Sequence, residues 1–156
     1  MKAMANLVYT AFFDGACEPT NPGGTASYGS IVYRHGTEIW RHSQIYNPPV
    51  PGETSNNIAE YLGLISVLEF LKSHELDNDL TMISGDSKLV IEQMSGRWQI
   101  RGGLYVPFAG KAKYLLTNFL VPPTLRWIPR EKNTVADELS KAHLLENGIK
   151  IRNRQR

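Results

Sequence analysis

Three β-forming runs crowd into the first 45 residues with no room for a helix between any two of them, and this crowding limits the folds open to the chain. Residues 6–13 are rich in β-formers, residues 26–34 repeat the pattern with Tyr28, Ile31, Val32 and Tyr33, and residues 37–45 carry Ile39 and Trp40. His35-Gly36 is a tight hairpin signal, while residues 18–24, with Pro19, Pro22, Gly23 and Gly24, read as a wider loop. An antiparallel meander is the expected start.

Beyond residue 46 the hydrophobic period changes. Residues 47–55 hold Pro48, Pro49, Pro51 and Gly52 and must be irregular, after which Ile58, Leu62, Ile65, Leu68 and Leu71 recur at helical spacing and predict a helix over 56–73. Residues 80–84 read as a short buried strand, 87–94 as a second helix and 97–106 as a loop. Pro107 suits a helix start, Phe108, Ala112, Leu115, Leu116 and Phe119 continue it, and Pro122-Pro123 ends it. A strand over 124–128 and a last helix, capped by Asn133 or Thr134 and closed at Asn147-Gly148, complete the order βββαβααβα. The fold class is therefore α/β, a mixed five-stranded sheet with helices on its faces.

At 156 residues the chain suits one domain with its own hydrophobic core. A lone Cys17 excludes an internal disulfide and agrees with a reducing compartment. The apolar run at residues 7–13 is too short for a signal-peptide core, and no run approaches the length of a membrane span. A soluble, cytoplasmic monomer without membrane partners is expected. Net charge is +2, but residues 147–156 hold four basic side chains and no acid, leaving 13 basic against 15 acidic residues elsewhere. A globally basic polyanion-binding surface is thus not indicated.

Four acids sit at the expected element edges: Asp14 after the first strand, Glu60 in the first turn of the long helix, Asp86 between a strand and a helix, and Asp137 in the first turn of the last helix. Each has a plain structural explanation. Asp14 can cap a turn, Asp86 can be an N-cap, and Asn57 to Glu60 and Thr134 to Asp137 both have capping-box spacing. The combination is harder to explain away, since the four converge if the strand over 80–84 lies beside the first. Clustered carboxylates repel, which raises pKa values and ties stability to cations. Two Mg²⁺ or Mn²⁺ ions about 4 Å apart on such a rim activate water and hold the leaving oxygen of a phosphodiester.

The blocks Phe-Asp-Gly-Ala-Cys, Asn-Pro-Gly-Gly, Thr-Ser-Asn-Asn-Ile-Ala-Glu-Tyr, Gly-Asp-Ser-Lys-Leu-Val and Trp-Ile-Pro-Arg-Glu-Lys-Asn-Thr-Val-Ala-Asp-Glu-Leu-Ser run in order between Asp14 and Ser140 and resemble type 1 ribonuclease H. The resemblance implies a ribonuclease H-like fold and endonucleolytic hydrolysis of the RNA strand of RNA–DNA hybrids, leaving 5′-phosphate and 3′-hydroxyl ends. It implies Asp14, Glu60, Asp86 and Asp137 as catalytic ligands of two Mg²⁺ or Mn²⁺ ions. It also implies contacts from Asn21, Asn56 and Asn57 to backbone or ribose, and from Ser55 to a DNA-strand phosphate. Action on double-stranded RNA stays open. Turn and cap duty competes with substrate contact for the asparagines.

The chain departs from many bacterial relatives in two places. No His stands in the loop just before the last Asp, residues 129–133, and Arg130 is the candidate for the cationic role of that loop. No basic protruding helix fits between residues 95 and 106, which resembles the handle-less branch common in archaea and found in plants. Trp98 in this segment is placed either to stack against a sugar or to pack, and packing is expected. The domain is expected to span residues 1–147, followed by a basic tail, 148–156, whose alternating pattern suggests an edge strand.

Two other readings carry weight: a nucleic-acid-binding module without catalysis, and a DNA nuclease, resolvase or transposase of the same broad fold. The complete acidic quartet speaks against the first and the specific blocks around Glu60 and Asp137 against the second. A haloacid-dehalogenase-like phosphatase would want an Asp where Ala16 stands. The self-contained element order favours a free-standing enzyme over a piece of a polyprotein.

Overall fold

The computed structural model of the chain describes residues 6–152. Five strands form one sheet: β1 (Tyr9–Glu18), β2 (Thr25–Arg34), β3 (Thr37–Ile45), β4 (Thr81–Gly85) and β5 (Thr124–Trp127), in spatial order β3-β2-β1-β4-β5. The first three make the expected antiparallel meander, and β4 and β5 add in parallel. Among the described residues four helices accompany them: α1 (Asn56–Ser73), α2 (Lys88–Met94), α3 (Val106–Thr117) and α4 (Thr134–Glu146). A short 3₁₀ turn, Arg130–Lys132, leads into α4. Among the described residues no helix is long and apolar enough to cross a membrane.

The apolar residues that signalled the elements also hold them together. Tyr9, Ala11 and Phe13 alternate onto one face of β1 and meet Leu64, Leu68 and Leu71 of α1, with Ile83, Val90, Ile91, Ala109 and Ala112 closing the cluster. Each large side chain so enclosed contributes about 1.5–3 kcal/mol against exposure. Ser55 caps α1 by accepting from the Ile58 amide, an arrangement of roughly 1 kcal/mol. α4 packs on the opposite face, where the Ser43 hydroxyl donates to the Leu139 carbonyl at 2.5 Å.

β1 is longer than its hydrophobic pattern implied. It continues from Phe13 through Asp14, Gly15, Ala16 and Cys17 to Glu18, each paired with β2 in register from Gly29 to Thr25. The partner strand satisfies the backbone of this mixed stretch, which local alternation does not foretell. On the other side, pairing with β4 stops at Phe13↔Gly85. Asp14 is therefore inside β1 and not in a turn, but it is the first residue past the end of a neighbouring strand.

Only a loop separates α2 from α3. It is pinned from within: the Tyr61 hydroxyl donates to Gln93 Oε1 at 2.5 Å, and Gln93 Nε2 donates to the Gln99 carbonyl and the Tyr105 hydroxyl. Trp98 does not pack as expected, since the residue is 47% exposed at the loop surface. Its neighbour Arg97 is drawn aside to Glu92.

The described part of the tail differs from expectation, and residues 153–156 lie outside the described residues. Residues 149–152 join no strand, and the attachment is instead a side chain: Arg152 Nε lies 2.7 Å from Glu18 Oε1 and its Nη2 donates to the Cys17 carbonyl at 2.8 Å. Glu18 is fully buried, and the Arg152 amide also donates to its Oε1 at 3.2 Å, so removing the guanidinium takes away a charged partner and leaves that backbone bond in place. Arg152→Ala is expected to lower the melting temperature by about 5 °C, equivalent to about 2 kcal/mol after discounting the exposed side of the pair. Differential scanning fluorimetry of this one variant is decisive, and an unchanged transition would refute the clamp.

Candidate active site

Two close helix–strand approaches create the site. An ideal Cβ on Gly15 would lie 2.3 Å from both the Ala59 carbonyl carbon and the Glu60 amide nitrogen, so only glycine lets the first turns of α1 rest on β1. Gly29, paired with Asp14 on β2, does the same for α4, where a Cβ would lie 2.5 Å from the Ser140 nitrogen. Helices from both faces thus reach the notch at which β4 stops.

Asp14, Glu60 and Asp86 each bring a carboxylate oxygen to this notch, all within 4.8 Å of one another. Asp14 and Glu60 are 4% exposed. None of the local capping explanations holds for these three. Ser87, not Asp86, caps α2 by accepting from the Val90 amide, Ser55 caps α1 in place of a box ending at Glu60, and Asp14 lies in a strand. Asp137, 8% exposed, stands outside the cluster of three, and its Oδ1 meets Lys141 Nζ at 3.0 Å.

The electrostatics follow from the crowding. Burial first, then the charges of Asp86 and Asp137, hold the Asp14 carboxyl well above the ordinary carboxylate range. Burial, then Asp14 and Asp86, does the same to Glu60. Asp86 is also pushed up by burial, but hydrogen bonding from Asn133 and the nearby Arg130 guanidinium draw it back.

Glu60 Oε1 and Asp86 Oδ2 are buried and lack a hydrogen-bond partner among the described residues. Buried acceptors are rarely left so, and a pair of them in one carboxylate cluster fits a hard divalent cation bound through oxygen. The donor set Asp14, Glu60 and Asp86 is therefore suited to Mg²⁺ or Mn²⁺.

The remaining sequence candidates fall into two groups. Asn21, Ser55, Asn56 and Asn57 gather at the N-terminus of α1, one turn from Glu60, with Asn21 Oδ1 accepting from the Asn56 amide at 2.8 Å. Arg130 lies on the other side, in the 3₁₀ turn beside Asp86. One residue was expected only as a cap: Asn133, 1% exposed, donates from Nδ2 to the Phe13 carbonyl at 2.9 Å and lies close enough to Asp86 to lower its pKa. It ties β1, Asp86 and the start of α4 together. Its position four residues before Asp137 is the available signal, obscured because asparagine before a helix is so ordinary a cap.

Comparison with known proteins agrees with this geometry. A family model described as reverse transcriptase-like matches residues 12–143. The bifunctional protein Rv2228c of Mycobacterium tuberculosis is 36% identical over 122 residues, covering 77% of this chain, and the chain spans 31% of that relative's length. The solved N-terminal RNase H domain of Rv2228c superimposes with a TM-score of 0.76 at 32% identity, covering 90% of this chain and 95% of that one. RNase H1 of Halobacterium salinarum gives 0.75 at 29% identity, covering 88% of this chain and 98% of that one. LC11-RNase H1, solved in complex with an RNA/DNA hybrid, gives 0.75 at 28% identity, covering 86% and 94%.

Proposed function

The chain belongs to the reverse transcriptase-like family, as a type 1 ribonuclease H of the handle-less branch, and from that premise we propose that it is an endonuclease cleaving the RNA strand of RNA–DNA hybrids to 5′-phosphate and 3′-hydroxyl ends. The observation that carries the reading is the cluster of Asp14, Glu60 and Asp86 with two buried, unpartnered carboxylate oxygens. Asp14, Glu60, Asp86 and Asp137 are the proposed catalytic ligands for two ions. When bound, Mg²⁺ or Mn²⁺ supplies a nucleophilic hydroxide at neutral pH and stabilises charge on the phosphate and leaving oxygen.

The protein's own part is positioning and charge. Gly15 N–H donates to Asp14 Oδ1 at 2.9 Å and Asn133 steadies Asp86, so both carboxylates are fixed before substrate arrives. At the N-terminus of α1 the backbone amides and the helix dipole favour a phosphate, and the Ser55 hydroxyl, accepting from Ile58, still has its proton to donate. Asn21, Asn56 and Asn57 are proposed to meet sugar and backbone there, where a 2′-hydroxyl distinguishes RNA. Arg130 is proposed to sit against a phosphate near Asp86. The LC11 complex with a hybrid supports that substrate class.

End-labelled RNA–DNA hybrid, double-stranded RNA and double-stranded DNA, each incubated with Mg²⁺ or Mn²⁺, test the proposal. The expected result is internal cleavage of the hybrid's RNA strand, with DNA duplex intact and 5′-phosphate on the products. Cleavage of double-stranded DNA in place of the hybrid, or tight hybrid binding without any scission, would overturn it.

A further inference from the structure

Resting on the two-ion reading of the acidic site, we propose that Lys141 is an internal competitor for the ion that uses Asp137, and that it makes this ion the weaker of the two. The four carboxylates are not equivalent. Three form one cluster, while Asp137 Oδ1 is occupied by the Lys141 ammonium at 3.0 Å. The two residues are one turn apart on α4, and their side chains are only 11% and 20% exposed. Water therefore screens this pair less than a surface ion pair, and the contact is correspondingly stronger.

The chemistry of the competition is simple. A hard divalent cation and an ammonium draw on the same carboxylate charge, so an ion held through Asp137 binds against the Lys141 ammonium unless that ammonium moves away. Among the described residues no lysine is paired with Asp14, Glu60 or Asp86, and the cationic group beside that cluster, Arg130, bears on Asp86. An ion using Asp137 either displaces Lys141, whose flexible four-carbon stem permits the move at the cost of the ion pair, or shares the carboxylate with it and binds more weakly. The ammonium left nearby continues to repel the incoming cation. Filling is thus ordered, with the three-carboxylate position occupied first.

The test is Mn²⁺ binding to the intact protein, followed by titration calorimetry and by electron paramagnetic resonance of free Mn²⁺, for the wild type, Lys141→Met, Lys141→Arg and Asp137→Asn. The wild type should show a tight and a weak class of sites. In Lys141→Met the weak class should tighten about tenfold while the tight class is unmoved, and Lys141→Arg, which keeps the ion pair, should preserve the gap. A weak class that vanishes in Asp137→Asn but ignores Lys141→Met overturns the competition alone. A weak class that survives Asp137→Asn overturns the assignment of Asp137 and this proposal with it. Circular dichroism and the unmoved tight class establish that Lys141→Met is folded.

Discussion

Asp14→Asn is expected to abolish hybrid cleavage, by about 10³-fold or more, and at the same time to make the ion-free protein more stable at neutral pH. The loss follows from removing a carboxylate of the three-residue cluster. The gain follows from burial: Asp14 is 4% exposed beside Glu60, and ionising both without a cation places two negative charges together away from water. Asparagine has the same shape. Its Oδ1 can keep the bond from the Gly15 amide, and its amide group can donate to Glu60, so the change removes charge without opening a cavity.

The sign of the pH dependence is fixed by the direction of the shifts. Asp14 and Glu60 have folded-state pKa values above their unfolded ones, so their contribution to stability is fully present below the ordinary carboxylate range and is lost as pH climbs through the raised values. Groups such as Asp77, whose pKa is lowered mainly by its bond from Lys72, act in the opposite sense at the acid end. Subtracting the two proteins isolates the site. In EDTA the melting temperature of Asp14→Asn should match the wild type near pH 4 and exceed it by about 3–6 °C at pH 8. Mg²⁺ should narrow that difference by stabilising the wild type. A variant less stable than wild type at pH 8 in EDTA would mean that the cluster does not store this repulsion.

The boundaries of β2, β3, α1 and α4 are largely legible in the sequence because each is a long run with one hydrophobic period and a clear stop, whereas β1 runs five residues past its expected end. The acids are legible as candidates because of where they stand in that order. Their environment is not. That Asp14 lies in mid-strand depends on β2 extending five pairs beyond the end of β4, a register set by tertiary pairing that no local pattern encodes. That Ser55 and Ser87 take the caps, leaving Glu60 and Asp86 to the site, is a choice between adjacent capping residues that differ little in preference. The exposure of Trp98 and the Arg152 clamp escape local patterns for the same reason, since both depend on what the rest of the chain brings near them.

The same dependence makes Gly15 the most informative residue that carries no functional group. Gly15→Ala is expected to destabilise the fold by about 3 kcal/mol and to reduce cleavage at least 10²-fold, roughly the penalty of moving a reacting group by 1 Å. The atoms that an added Cβ would strike, at 2.3–2.7 Å, are backbone atoms of Ala59 and Glu60, which cannot rotate aside as a side chain would. Relief requires α1 to move off β1. That motion carries Glu60 away from Asp14 and opens the Gly63 contact further along the same helix. Gly110→Ala is the matched control: it lies inside α3 with nothing within 4 Å of its added Cβ, and alanine's better helix propensity should stabilise it by up to about 1 kcal/mol. Paired measurements of melting temperature and hybrid cleavage therefore separate a specific close approach from a general intolerance of substitution. Cleavage by Gly15→Ala at the wild-type rate would show that Glu60 does not need this contact to reach the site.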